Sequence, residues 1–124
     1  MTTRAAIVCA RSEAHGALGA AGRGAYDVVL ARAVAPLAIL VELGAPLLAP
    51  GGLLLASKTA RAVREESAAG EAAAAVCGLA SVSVRPLARS QLRDSVCAVY
   101  ERVAATPERF PRRPGLAGKR PLGV

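Results

Sequence analysis

Tyr26-Asp27-Val28-Val29-Leu30-Ala31, then Pro36-Leu37 through Leu48, then Gly51-Gly52-Leu53-Leu54-Leu55-Ala56-Ser57-Lys58, is the stretch that decides the fold. Residues 26–31 and 53–57 are short, continuous apolar runs, the pattern of parallel strands covered on both faces. Between them, large apolar residues at 37, 40, 41, 43, 47 and 48 approximate helical spacing, and Pro36 suits a first turn. The helix is expected to stop near Pro50, with Gly51-Gly52 as a turn and Lys58 just past the second strand. Strand, helix, strand in that order is a crossover unit and places the chain in the α/β class.

The pattern extends in both directions. Ala5 to Ala10 is an apolar run ending at Arg11-Ser12-Glu13 and reads as an earlier strand; Gly16 to Gly24 is a weak helix or a loop. Thr59 to Val76 carries charges at 61, 64, 65, 66 and 71 and the block Ala72 to Ala75, a helix with Gly78 as its stop and Gly70 as a point of fraying or kinking. Ser81 to Pro86 alternates with period two, and Ser95 to Arg102 is largely apolar, so two antiparallel strands finish a mostly parallel sheet. From Thr106 onward Pro, Gly, Arg and Lys replace any apolar period. The chain thus divides into a domain over 1–105 and a basic tail over 106–124 that cannot build a core of its own.

Composition narrows the function. At 124 residues there is room for one domain at most. Ala supplies 29 of the 66 hydrophobic residues, so the core is small and aliphatic. Trp is absent and aromatics make up 2%, which removes the stacking platforms of single-strand nucleic-acid binders. The net charge of +7 is uneven: residues 101–124 hold 6 basic against 2 acidic side chains. The longest apolar stretch, Ala33 to Ser57, is interrupted by Glu42, Pro46, Pro50 and the Gly pair, and the N-terminus lacks a secretory apolar region, so a soluble, cytoplasmic protein without a membrane span is expected. Cys9, Cys77 and Cys97 have no paired spacing and read as buried thiols rather than disulfides or a metal site. His15 alone makes no metal set and no triad, and is expected to be a solvated loop residue.

Open α/β sheets bind ligands at the carboxyl ends of their strands. The polar residues there are Arg11, Ser12 and Glu13 after the first run, Arg32 after the second and Lys58 after the third. Between Thr106 and Leu122 five cations face one acid, with a single Phe110; this suits either a solubilising tail or contact with RNA phosphate.

Two blocks carry a resemblance. Tyr26-Asp27-Val28-Val29-Leu30-Ala31-Arg32-Ala33-Val34-Ala35-Pro36-Leu37 and the closing Thr106-Pro107…Phe110-Pro111-Arg112-Arg113-Pro114-Gly115…Lys119…Pro121-Leu122 resemble the small-subunit ribosomal RNA methyltransferase G family, also called glucose-inhibited division protein B. Arg11-Ser12-Glu13 and Pro50-Gly51-Gly52 through Lys58 are similar to further elements of that family, in the same order. The resemblance implies a class I, Rossmann-like methyltransferase sheet and transfer of methyl from S-adenosylmethionine to N7 of a guanine in 16S rRNA of the small ribosomal subunit. It also implies that Ser12 and Glu13 lie along the adenosine of the cofactor and that Arg32 lies near it. Charge and position make Lys58, Arg112, Arg113, Lys119 and Arg120 the candidates for RNA phosphate. Guanine N7 offers an in-plane lone pair and no proton, so alignment matters more than a general base, and no catalytic side chain or metal is expected.

The family's N-terminal strands and Gly-rich loop have no counterpart here. In the family fold those strands sit beside the Tyr26 strand, whose edge is therefore expected to be bare, a feature that favours association. Two readings stand: a truncated methyltransferase whose activity requires the missing half, or a non-catalytic remnant or RNA-binding module using the basic tail. A generic α/β interaction domain explains the strands but not the tail.

Overall fold

The computed structural model describes residues 12–32, 35–86 and 95–123. Its elements are α1 (Ser12–His15), β1 (Tyr26–Arg32), α2 (Leu37–Gly44), β2 (Leu48–Thr59), α3 (Ala60–Cys77), β3 (Leu79–Pro86), β4 (Ser95–Arg102) and α4 (Leu116–Lys119). The strands form one mixed sheet in the order β1-β2-β4-β3. β1 and β2 are parallel, and β4 runs antiparallel to both β2 and β3. The apolar run expected as a strand at Ala5 to Ala10 lies outside the described residues.

Local chemistry sets the boundaries. α2 ends at Gly44, earlier than the apolar spacing predicts, and a 3₁₀ turn over Ala45–Leu47 follows. Pro46 is the cause: it lacks the N–H that the helix needs there, and its ring meets the carbonyl four residues back. β2 begins five residues before its expected start, because Gly51-Gly52 forms an irregularity within the strand rather than a turn before it. The register with β1 jumps from Tyr26↔Leu48 to Val28↔Leu53. Gly51 takes φ +77°, and a Cβ on Gly52 would stand 2.9 Å from the Ala49 carbonyl oxygen and 3.1 Å from that of Asp27, so only glycine fits. α3 starts where Thr59 accepts a hydrogen bond from the Ala62 amide (3.1 Å) and stops at Gly78, φ 86°.

α3 runs unbroken through Gly70. It is the point of closest approach: a Cβ there would lie 2.8 Å from the Tyr100 hydroxyl and 3.0 Å from the Leu37 Cβ, so the absent side chain lets α3 settle against α2 and β4. α2 and α3 cover one face of the sheet, and burial alternates along β2 accordingly, with Leu54, Ala56 and Lys58 inward. The core joins Leu37, Val41, Leu48, Leu54, Val63, Cys77 and Tyr100. On the opposite face the continuous burial expected for β1 does not hold: Leu30 is 76% exposed and Val28 is 48% exposed, because no layer among the described residues covers them.

The tail does not hang free. Phe110 and Ala117 are buried in the same core, and Leu122 packs against it. It builds no core of its own but borrows that of the domain. Among the described residues no helix is long and apolar enough to cross a membrane.

Candidate functional site

The parallel pair points its carboxyl ends, Arg32 of β1 and Ser57-Lys58 of β2, to one edge of the sheet. Arg32 is exposed there. Lys58, in contrast, is buried on the helix-covered face. Its Nζ donates to the Ala35 carbonyl (2.7 Å) and to Glu66 Oε1 (2.5 Å), and the same Glu66 oxygen accepts from the Leu37 amide (2.9 Å). Lys58 is the last residue but one of β2, Ala35 and Leu37 flank the start of α2, and α3 carries Glu66. One ion pair therefore ties Ala35 and Leu37, at the start of α2, to β2 and α3, and the Lys58 charge is balanced inside the chain.

A second group holds the tail. Glu42, 1% exposed within the apolar helix α2, accepts from the Arg112 amide (3.0 Å) and from its guanidinium, with Nη2 to Oε1 at 2.6 Å. The hydrogen bond to Glu42 raises the Arg112 pKa above its already high ordinary value. Arg112 Nη2 also donates to the Arg120 carbonyl (2.6 Å). Arg23, in the loop before β1, donates to the carbonyls of Thr106 (3.3 Å), Pro107 (3.1 Å) and Phe110. Thr106 itself donates to the Cys77 carbonyl (2.8 Å). Glu13, buried beside the start of α4, accepts from the Gly115 amide (3.0 Å).

The sequence candidates thus separate. Arg32, Arg113, Lys119 and Arg120 reach solvent; Glu13, Lys58 and Arg112 are engaged within the chain. Ser12 opens α1, next to Glu13. Sequence reasoning missed Arg23, Glu42, Glu66 and Thr106. Glu42 had a signal, since an acid amid Leu37-Ala38-Ile39-Leu40-Val41 faces a core and must find a partner. Arg23, among Gly and Ala, had none.

His15 lies at the end of α1 rather than in an open loop, with Nε2 2.7 Å from the Tyr26 hydroxyl. Cys77 is buried, and burial first, then the nearby Glu42 charge, pushes its thiol up to about 12; Cys97 is half-buried and also raised by burial. Cys9 is outside the described residues. Among those residues no three His, Cys, Asp or Glu side chains are grouped to hold a metal.

A cofactor of nucleoside size needs a concave wall with converging polar groups. Among the described residues, one hollow of about 370 Å³ lies at the end of β2 away from Lys58, along Pro50, Gly51 and Arg102 to Ala105. Another, about 170 Å³, is apolar and lies between β1 and α2. Of the polar groups expected near a cofactor, Glu13 accepts from the Gly115 amide and Arg32 is exposed at the carboxyl end of β1.

Similarity to known proteins fills in the context. A family described as rRNA small subunit methyltransferase G matches residues 2–95. Proteins named ribosomal RNA small subunit methyltransferase G are 43% identical over 81% of this chain in Deinococcus deserti, 38% over 91% in Lacticaseibacillus paracasei and 40% over 94% in Roseiflexus castenholzii. Those alignments take in 41%, 46% and 49% of the respective relatives, so the chain spans about half their length. With a family match over three quarters of its residues, and relatives 38–43% identical over four fifths or more of its length, the chain belongs to the rRNA small subunit methyltransferase G family.

Proposed function

We propose that this chain is the C-terminal half of a class I methyltransferase that uses S-adenosylmethionine to methylate N7 of a guanine in 16S rRNA of the small ribosomal subunit. The observation that carries the reading is the family match over residues 2–95. The parallel β1–β2 pair, with Arg32 exposed at its carboxyl edge, is consistent with it. S-adenosylmethionine supplies the electrophilic methyl group. This chain's part is to fix geometry and to bring RNA to the edge. Lys58 and Glu66 hold Ala35 and Leu37 at the start of α2, beside the strand ends, and alignment is most of what attack by a proton-free nitrogen requires. Arg32 faces the cofactor side, with Ser12 and Glu13 along the adenosine. Arg113, Lys119 and Arg120, exposed on a docked tail, meet RNA phosphates; Lys58 and Arg112 contribute by positioning rather than by contact.

The test is methyl transfer from labelled S-adenosylmethionine to purified small subunits, by the chain alone and by the chain joined to the remaining half of a relative. Transfer by the joined protein only, reduced at least tenfold by Arg32→Ala, supports the reading. RNA binding with no transfer in either form supports instead the non-catalytic RNA-binding module, which the exposed tail cations favour.

A further inference from the structure

We infer that the docked tail is a working part of the cofactor site. The Gly115 amide and the Arg23 guanidinium position α1 and its Glu13, so that RNA held by the tail cations and S-adenosylmethionine held at α1 tighten each other. This rests on the reading above that Glu13 lies along the adenosine, and it adds what holds Glu13 there.

α1 is a single turn, Ser12–His15, and one turn of helix does not stand by itself in water. Its place is set from outside. Glu13, buried, accepts from the Gly115 amide at 3.0 Å, across 102 residues of sequence. Arg23 donates to the Gly16 carbonyl (3.1 Å), one residue past α1, and to the tail carbonyls of Thr106, Pro107 and Phe110. His15 Nε2 is 2.7 Å from the Tyr26 hydroxyl, and its ring fills the place of a side chain on Gly22, whose Cβ would stand 2.2 Å from it. β1 therefore fixes His15, while the tail fixes Glu13 and Gly16.

Gly115 has φ +86°, and nothing lies within 4 Å of a Cβ there, so conformation and not crowding calls for glycine. A carboxylate has about four acceptor directions, so one amide on Oε2 orients the group while a ribose hydroxyl can still donate to it. The same short body carries the RNA candidates. Arg112 is held by Glu42 and reaches the Arg120 carbonyl (2.6 Å), the Arg113 carbonyl accepts from the Leu116 amide (3.1 Å), and Ala117 is buried. Arg113, Lys119 and Arg120 thus flank Gly115 on one braced segment, and phosphates gathered by them bear on the amide that holds Glu13. The tail has two states: seated, with Glu13 held, or lifted, with Glu13 released. RNA and cofactor both favour the seated state, and linkage makes the effect mutual.

The test uses the joined protein and S-adenosylhomocysteine, the product with no methyl left to transfer, so that binding is read without turnover. Purified small ribosomal subunits tighten its binding about tenfold, and it tightens subunit binding by the same factor. Gly115→Ala and Arg23→Ala each weaken S-adenosylhomocysteine binding about tenfold without RNA and abolish the mutual effect. Arg23→Lys, which reaches fewer of the carbonyls, falls between. With no ligand present, both Ala variants speed hydrogen exchange over residues 12–24. Leu79→Ala, buried in β3 at the opposite edge of the sheet from β1, lowers the melting temperature as a core truncation does and changes none of these readings, which separates positioning from loss of stability. Variants at 23 and 115 that bind S-adenosylhomocysteine as the parent does, or a Leu79→Ala protein that loses it equally, overturn the proposal and leave the methyltransferase reading standing. A parent that binds none, with subunits present or absent, overturns the adenosine reading of Glu13 and the proposal with it.

Discussion

Glu42 shows how much one buried charge decides. It is fully enclosed in α2, and Arg112 answers it with a backbone amide and a guanidinium. Removing the cation strands the anion, so Arg112→Met is expected to cost about 3 kcal/mol in urea unfolding. Glu42→Gln in the same background recovers part of that loss, a coupling that a double-mutant cycle measures. Cys77 adds a pH prediction. Its ordinary pKa of 9.0 holds in the unfolded chain and about 12 in the folded one, so the folded state keeps a proton that the unfolded state releases. Stability is fully present below about pH 9 and falls as pH rises toward 12, by up to about 1.4 kcal/mol per unit. Tyr100, raised by burial and by Glu71 and Glu66, works in the same direction. Urea midpoints at pH 8, 9.5 and 10.5 check this, and Cys77→Ala flattens the slope. At this scale the sequence showed which residues were unusual but rarely what they touch. Lys58 read as a strand-end cation; that it turns inward depends on Glu66, eight residues on, and on Ala35, neither of which a local pattern connects to it.

Elements were more legible than residues, and the reasons for the misses are local. β4 matches its expected span and α3 is shifted by a residue, since apolar pattern, Thr59 and Gly78 all agree. α2 and β2 differ because Pro46 and the Gly51-Gly52 irregularity act through backbone geometry, which side-chain periodicity does not report. The tail is the larger lesson. Its Pro, Gly and Arg content describes a segment unable to fold alone; in the structure it packs through Phe110 and through three partners far away in sequence, Glu13, Arg23 and Glu42. Phe110→Ala is therefore expected to cost about 3 kcal/mol, as for other buried aromatic truncations. A chain stopped after Ala105 loses Thr106, Phe110 and Arg112 together and is expected to show no cooperative thermal transition by circular dichroism.

For the whole molecule, charge and topology matter most. With +7 overall and Arg113, Lys119 and Arg120 exposed on the docked tail, the proposed binding to small-subunit rRNA is expected to weaken steeply with salt. Replacing those three by Ala lowers the slope of log affinity against log salt by about 2, at roughly 0.7 per phosphate contact in single strands. Lys58→Ala leaves that slope unchanged; an equal fall with Lys58→Ala alone would return that residue to the RNA surface. The α/β class and the strand directions were readable from strand, helix, strand and two closing strands. What covers each face was not, because a continuous apolar run looks the same whether its second layer is present in the sequence or not.

The sheet order has a further consequence for how the protein is made. β4 is threaded between β2 and β3, although it follows both in the chain. While a ribosome is still translating the residues before Ser95, β3 has no neighbour to pair with and β2 is open along the side that β4 will fill. The emerging chain therefore leaves β3 and one side of β2 unpaired until residue 102 has cleared the exit. Synthesis speed, and the chaperones that attend nascent chains, then act on a window that closes with a single late strand.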